Sequence, residues 1–181
     1  PTAGACGVLP AVLVPYFQKR CRNTDKILKA MYVAAGIGQI IATHSSISGA
    51  AGGCQAEIGS ASSMAAGALT YLQGGNCKQI ATAAAMAMKN LLGLVCDPVA
   101  GLVEVPCVKR NVIGTVNAMA CADMAMAGIT SRIPPDQVMD AMKEVGDKMD
   151  ASLRETALGG LARTEEGVKI AEKMHASQEN W

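Results

Sequence analysis

The spacing of apolar positions along the chain predicts helices rather than strands. Val138, Met142, Val145 and Met149 recur at the intervals that place side chains on one face of an α-helix. No segment shows the sustained alternation of apolar and polar residues that is typical of a half-buried strand. We therefore predict an all-α fold, a compact helical domain whose Gly/Ser-rich and Cys/Pro-rich loops form the functional site.

Glycine, proline and serine divide the apolar pattern into segments. We expect a Gly-rich loop over residues 1–9 and a short helix or turn over 10–20 that Pro15 interrupts. The other expected helices are, in chain order, one from Thr24 that ends in the Ser/Gly-rich stretch 43–53, three over about 54–72, 76–94 and 109–128, one that begins near Pro134 and Pro135, and one capped by Thr164. Without a repeat or a long polar linker, residues 1–181 are predicted to be a single domain, part of a longer chain.

Composition and charge exclude some classes of function. Half of the 181 residues are apolar but only 3% are aromatic, and the net charge is +1, so nothing favours binding to nucleic acid. The most apolar windows, 80–95 and 112–129, contain Lys89 and Asp123, which predicts buried helices and no membrane span. Seven cysteines, an odd number, favour free or ligating thiols in a reducing compartment, so we expect a cytoplasmic protein.

Three cysteines lie where their surroundings suggest a role beyond packing. Cys96 and Cys107 lie in GLVCDPVAGLVEVPCVKRN, where Pro98 and Pro106 each fix a backbone angle. Cys54 lies at the start of a predicted helix, a position that lowers the pKa of a thiol. Their spacing is longer than that of ferredoxin or zinc-ribbon motifs. From the residues alone, they are either metal ligands or three unconnected core thiols.

Four segments carry a resemblance to a known family. PTAGACGVLPAVL, SSISGAAGGCQAEIGSASSMAAG, NLLGLVCDPVAGLVEVPCVKRN and RETALGGLA, in this order from Pro1 to about Ala162, resemble the α chain or α domain of iron–sulfur L-serine dehydratases (L-serine ammonia-lyases). The chain is most similar to the α chain of the two-chain form. In that family three cysteines hold a 4Fe–4S cluster, and the matching positions here are Cys54, Cys96 and Cys107.

The resemblance implies deamination of L-serine to pyruvate and ammonia. The iron without a protein ligand would act as a Lewis acid on the serine hydroxyl while a base removes the Cα proton. The family's histidine lies in an S-S-H-T motif of the β domain or β chain, and neither His44 nor His175 lies in such a motif. We therefore expect no catalytic base in this chain, a β chain as partner, and a homo- or hetero-oligomer.

Binding of the carboxylate and amine of serine calls for polar groups in the glycine-rich loops and for cations. The candidates are Thr2, Gly4, Ser46, Ser48, Gly49, Lys109, Arg110, Asn111 and Arg154. Two alternatives stay open. A related lyase could eliminate sulfide from cysteine with a similar cluster, and a non-catalytic helical scaffold could use the cysteines to bind zinc.

Overall fold

The computed structural model describes residues 1–178, and in that range it contains eight α-helices and no strand. The helices are α1 Val8–Lys19, α2 Thr24–His44, α3 Gly49–Gly52, α4 Cys54–Leu72, α5 Cys77–Lys89, α6 Cys107–Met126, α7 Pro135–Lys148 and α8 Glu165–Gln178. Short 3-10 turns cover Ala3–Gly7, Val99–Gly101, Ala151–Leu153 and Gly160–Arg163. The predicted all-α fold is confirmed.

The central element is α4, which is buried along almost its whole length and packs against α1, α2, α5, α6 and α7. Small residues at the helix contacts allow this close approach. At Gly114 of α6, for example, a methyl group would lie 2.6 Å from the side chain of Ile58 in α4. Its buried hydroxyls have backbone partners, since Ser62 donates to the carbonyl of Gly114 and Ser63 to that of Ala84, both at 2.8 Å. The helix that begins at Cys54 is therefore buried in the core, with hydrogen-bond partners for its serine hydroxyls.

Several predicted boundaries differ from the observed ones. The predicted interruption at Pro15 is wrong, because α1 continues through this exposed residue and loses only the hydrogen bond that proline cannot donate. The predicted N-terminal loop contains a 3-10 turn and the start of α1. Asn23, rather than Thr24, caps α2, its side chain accepting from the Lys26 backbone at 3.0 Å.

Among the helices of residues 1–178, one is long and apolar enough to cross a membrane by length and composition alone. It is α2, with 21 residues near the start of the chain, and it is mostly exposed. A single such helix is weak evidence for a span. Its exposed apolar side chains include Leu28, Met31 and Tyr32.

Candidate metal centre

Two of the three cysteines singled out in the sequence, Cys54 and Cys96, lie side by side, and the third, Cys107, is near enough to interact electrostatically with both. Cys54 is the first residue of α4, Cys107 is the first residue of α6, and Cys96 lies in the loop between α5 and α6. All three are buried and none forms a disulfide. The Sγ atoms of Cys54 and Cys96 lie within 4.8 Å of each other and of a carboxylate oxygen of Glu57. Residue spacing does not connect Cys54 to the other two, because the contact is tertiary; only the family resemblance grouped them.

Gly53 sets the position of Cys54. It has φ +77°, a left-handed conformation that favours glycine. A methyl group there would also lie 2.6 Å from Met149 Sδ and 2.9 Å from the carbonyl oxygen of Leu94. The Gln55 backbone N–H donates to that same carbonyl at 2.9 Å. The first turn of α4 is thereby fixed against the segment that leads to Cys96.

A second segment of backbone holds Cys96. The Cys96 N–H donates to the carbonyl of Leu153, and the Cys96 carbonyl accepts from the N–H of Glu155, both at 2.8 Å. These two bonds form an isolated parallel bridge between Cys96 and Arg154. The start of the RETALGGLA segment, with Leu153 just before it, therefore holds Cys96 in place through the backbone.

Asp97 and Arg110 form a buried ion pair beside the thiols. Arg110 Nη1 donates to Asp97 Oδ1 at 2.7 Å and to the carbonyl of Val95 at 2.8 Å. Asp97 Oδ2 accepts from the Leu161 N–H at 2.8 Å, and Asp97 is 3% exposed. The same Nη1 lies 3.9 Å from Cys54 Sγ. The guanidinium thus links the cysteine loop, the segment around residue 161 and the thiol at the start of α4.

The thiols differ in acidity. The pKa of Cys54 is lowered, because it accepts a hydrogen bond from the Cys96 thiol and lies beside the Arg110 charge, which together outweigh its burial. The pKa of Cys96 is raised by that same hydrogen bond and by burial. Burial raises the pKa of Cys107 to about 11, and the neighbouring Cys54 adds to this. Of the two, Cys54 therefore loses its proton more readily than Cys96.

Two carboxylates at the site were not predicted. Glu57 lies one helical turn after Cys54, is only 4% exposed, and its pKa is raised by burial. Glu155, in the loop, follows the residue bridged to Cys96 and has φ +64°. The i, i+3 spacing from Cys54 could have identified Glu57, since such residues share a helix face. No local pattern in the sequence could have identified Glu155.

The structure brings some of the predicted substrate-binding residues to the cysteines. Gly49 is buried against Cys96, and Arg110 contacts Cys54. Asn111 donates to the Cys107 carbonyl at 3.0 Å, and a methyl group on Gly4 would lie 2.8 Å from Asn111 Nδ2.

The other candidates lie less directly at the site. The Arg154 backbone pairs with Cys96, and its side chain is half-buried. Ser46 lines a separate cavity of about 290 Å³ that the three cysteines do not border, and its Oγ accepts from the Ser48 N–H at 3.2 Å. Thr2 and Lys109 are exposed, as are His44 and His175. These candidates stay predictions.

Comparison with known proteins gives the family. A family profile described as "Serine dehydratase alpha chain" matches residues 1–162. The chain belongs to this family. It is 54% identical over 174 residues to the "Probable L-serine dehydratase, alpha chain" of Bacillus subtilis, covering 96% of this chain and 58% of that protein. It is 53% identical over 170 residues to a Latilactobacillus sakei protein of the same description, covering 94% and 81%.

Longer relatives also match. The chain is 47% identical over 164 residues to the "L-serine dehydratase" of Haemophilus influenzae, covering 90% of this chain and 36% of that protein. The chain thus spans 58% of the length of its Bacillus subtilis relative and about a third of the Haemophilus influenzae one. The family assignment rests on residues 1–162, the range that contains all three site cysteines.

Proposed function

We propose that this chain is the cluster-binding part of an L-serine dehydratase, which converts L-serine to pyruvate and ammonia. The observation that supports the proposal is a group of three buried free thiols. The Sγ atoms of Cys54 and Cys96 lie within 4.8 Å of each other, and Cys107 lies near enough to interact electrostatically with both. We infer the substrate from the relatives, which are named L-serine dehydratases.

The residues present fit an iron–sulfur cluster. Iron–sulfur clusters are held by cysteine thiolates, and the donor set here is three thiols. Cys54 begins a long helix, whose N-terminal dipole favours thiolate, and Arg110 places a positive charge beside it. Cys54, Cys96 and Cys107 would therefore hold a 4Fe–4S cluster. When bound, it would supply a Lewis acid for the departing hydroxyl of serine.

The chain's own residues would fix the thiols and bind the substrate. Asp97 is occupied by Arg110 and Leu161, so its role is to hold the Cys96 loop in place. The carboxylate of serine would be bound by Arg110, Asn111 and the N–H groups around Gly49, with Ser46, Ser48, Thr2, Gly4, Lys109 and Arg154 as further candidates. The Cα proton needs a base, and both histidines of the chain are exposed. We propose that a separate β chain supplies the base.

The test is anaerobic reconstitution with iron and sulfide, followed by metal analysis and visible absorption. We expect about four iron and four sulfide per chain in the wild type, the content of the proposed cluster. Cys96→Ser should lose the cluster. Cys121→Ser, which alters a buried thiol outside the site, and Cys77→Ser, which alters an exposed one, should retain it. Serine turnover should require added β chain. Turnover by the isolated chain would contradict the proposed source of the base, and retention by Cys96→Ser would contradict the ligand set.

A single metal ion is the second candidate occupant. It is favoured by the closeness of the ligand atoms of Cys54, Glu57 and Cys96, all within 4.8 Å of one another. Zinc takes both thiolate and carboxylate ligands, and a structural site would carry no serine-dependent chemistry. A colourless protein with one zinc per chain, and no uptake of iron and sulfide, would favour this function over the first.

A further inference from the structure

The outward face of α6 is apolar along its middle and charged at its two ends. Helix α6 packs against α4, α5 and α1, and its remaining side is exposed. Lys109 and Asp123 are the exposed charged residues at the two ends of that side. Between 48% and 59% of each of its larger apolar residues is exposed: Val108, Val112, Ile113, Val116 and Met119. With a rotation of about 100° per residue, these seven residues, the α6 face, all lie within about 80° of Val116.

The charges at the ends of α6 are reversed relative to its own dipole. A helix favours acidic residues in its first turn and basic residues in its last turn. Among residues 1–178, every other helix of eight or more residues has at least one of these two features. Helix α6 has neither, since Lys109 lies in its first turn and Asp123 in its last.

Neither of these two charges has an opposite charge within the described part of the chain. Arg110, also in the first turn of α6, is paired with Asp97, but Lys109 and Asp123 form no ion pair in residues 1–178. The Asp123 carboxylate accepts only from a neutral group, the Gln73 amide, at 3.0 Å. The unfavourable positions of both charges would be relieved by a neighbouring helix that runs in the opposite direction.

The α6 face is complementary to itself when two copies run antiparallel. Val116 lies midway between Lys109 and Asp123, seven residues from each. With a two-fold axis at Val116, Lys109 of each copy lies opposite Asp123 of the other. Each charge then also lies at the end of the neighbouring helix whose dipole favours it. The same register pairs exposed apolar residues across the axis: Ile113 with Met119, and Val112 with Ala120.

We propose that the α6 face binds a second copy of this chain, with the two α6 helices antiparallel across a two-fold axis at Val116. Such isologous contacts are the commonest in homo-oligomers. The proposal goes beyond the proposed function and does not depend on it. Lys109, a substrate-binding candidate above, lies about 200° around the helix from Cys107, on the side of the second copy. The two Cys107 residues would lie about 27 Å apart along the helix pair, so each metal centre stays outside the contact.

The test measures self-association by sedimentation equilibrium of the full chain, alone and with the proposed β chain added. Lys109→Glu and Asp123→Lys each place like charges opposite each other at both ends of the pair. The double variant restores opposite charges, and so does a mixed pair formed from the two single variants. Within one copy the two residues lie about 21 Å apart along the helix, well beyond the screening length of about 8 Å. Recovery therefore reports contact between copies.

We expect a wild-type dimer in both conditions. Each single charge reversal should weaken it about tenfold or more, because the symmetry repeats every exposed pair twice. The double variant and the mixture of single variants should return to near the wild-type affinity. Val116→Glu, which brings two carboxylates together at the axis, should abolish the dimer. The matched controls on the exposed side of α2, Lys29→Glu and Ile40→Glu, should dimerise as the wild type does.

Three results would overturn the proposal. They are a monomeric wild-type chain, a dimer that withstands Val116→Glu, and charge reversals that neither the double variant nor the mixture rescues. Dissociation of the wild-type dimer on addition of the β chain would overturn it as well, because the α6 face would then belong to that partner. Circular dichroism of each variant should match the wild type, which separates lost association from lost folding. The measurement uses no serine turnover, so failure of the proposed function would leave it unaffected.

Discussion

Asp97→Asn replaces a buried carboxylate with an amide of the same shape. In the wild type its two oxygens accept from Arg110 Nη1 at 2.7 Å and from the Leu161 N–H at 2.8 Å. The amide retains one acceptor oxygen, but its NH₂ group must face one of these two donors. Arg110 also loses its counter-charge while it remains beside Cys54.

The magnitude follows from the burial of the pair. Removal of one partner from a buried ion pair destabilises a protein by about 3–5 kcal/mol. The Arg110 side chain is 18% exposed, so water recovers part of this, and its bond to the Val95 carbonyl remains. We therefore expect the free energy of unfolding to fall by about 3 kcal/mol. With a urea slope of about 2 kcal/mol/M, the midpoint should fall by about 1.5 M.

The assay is equilibrium unfolding in urea, followed by far-ultraviolet circular dichroism on the chain without metal. The control is Asp147→Asn, which breaks an exposed i, i+4 pair with Lys143 and should change the free energy by less than about 0.5 kcal/mol. Arg110→Met added to Asp97→Asn should recover part of the loss, because it removes the unpaired charge. If Asp97→Asn is no more destabilising than the control, the pair does not hold the cysteine loop in place.

Three further predictions test packing and burial. Gly49→Ala places a methyl group 2.9 Å from Glu57 Oε2 and should destabilise the chain by about 1–3 kcal/mol in thermal unfolding. The control Gly36→Ala meets nothing within 4 Å and should be neutral or stabilise by up to about 1 kcal/mol. Equal effects of the two substitutions would contradict the crowding at Gly49. Ile58→Ala should destabilise by about 2–5 kcal/mol in urea, because Ile58 is buried in the core, and a loss below about 1 kcal/mol would show that the core closes around the gap. Burial raises the pKa of the Cys121 thiol from 9.0 to about 11, so this thiol ionises at a lower pH in the unfolded chain than in the folded one, and its contribution to stability falls as the pH rises. The difference in free energy of unfolding between wild type and Cys121→Ala should therefore shrink by about 1.4 kcal/mol between about pH 8 and pH 10. A constant difference would contradict the raised pKa.

The helices were the most predictable part of the molecule, because their signals are local. The apolar face at Val138 and Met142 does lie in α7, and both residues are buried. Thr164 caps α8 as predicted, accepting from the Gly167 N–H at 3.2 Å. The error at Pro15 arose because proline removes one hydrogen bond without preventing a helix when its ring stays on the exposed face.

The grouping of the cysteines in the candidate metal centre was predictable only through resemblance. Spacing alone left Cys54 unconnected to Cys96 and Cys107, because their closeness depends on how α4 packs against the loop before α6. Glu57 carried a readable signal, one turn after Cys54, but a buried glutamate cannot be distinguished from an exposed one without knowing which face of α4 is buried. In α4 almost every position is buried, so apolar spacing gives no such face. Glu155 depends on a left-handed residue in a loop, which no periodicity describes.

The arrangement of the centre ties its assembly to the folding of the whole domain. Cys54 is held by α4, Cys107 by α6, and Cys96 by backbone bonds to residues that lie beyond α7. The thiols come from two distant parts of the chain, the start of α4 and the segment 96–107, so a bound metal or cluster would join these two parts. Because metal affinity then contributes directly to folding free energy, the occupied centre should stabilise the entire fold rather than one loop. The ion pair of Asp97 and Arg110 fixes the Cys96 loop through groups that need no metal, and Arg110 also contacts Cys54. We therefore expect it to hold Cys54 and Cys96 near each other whether or not a metal is bound.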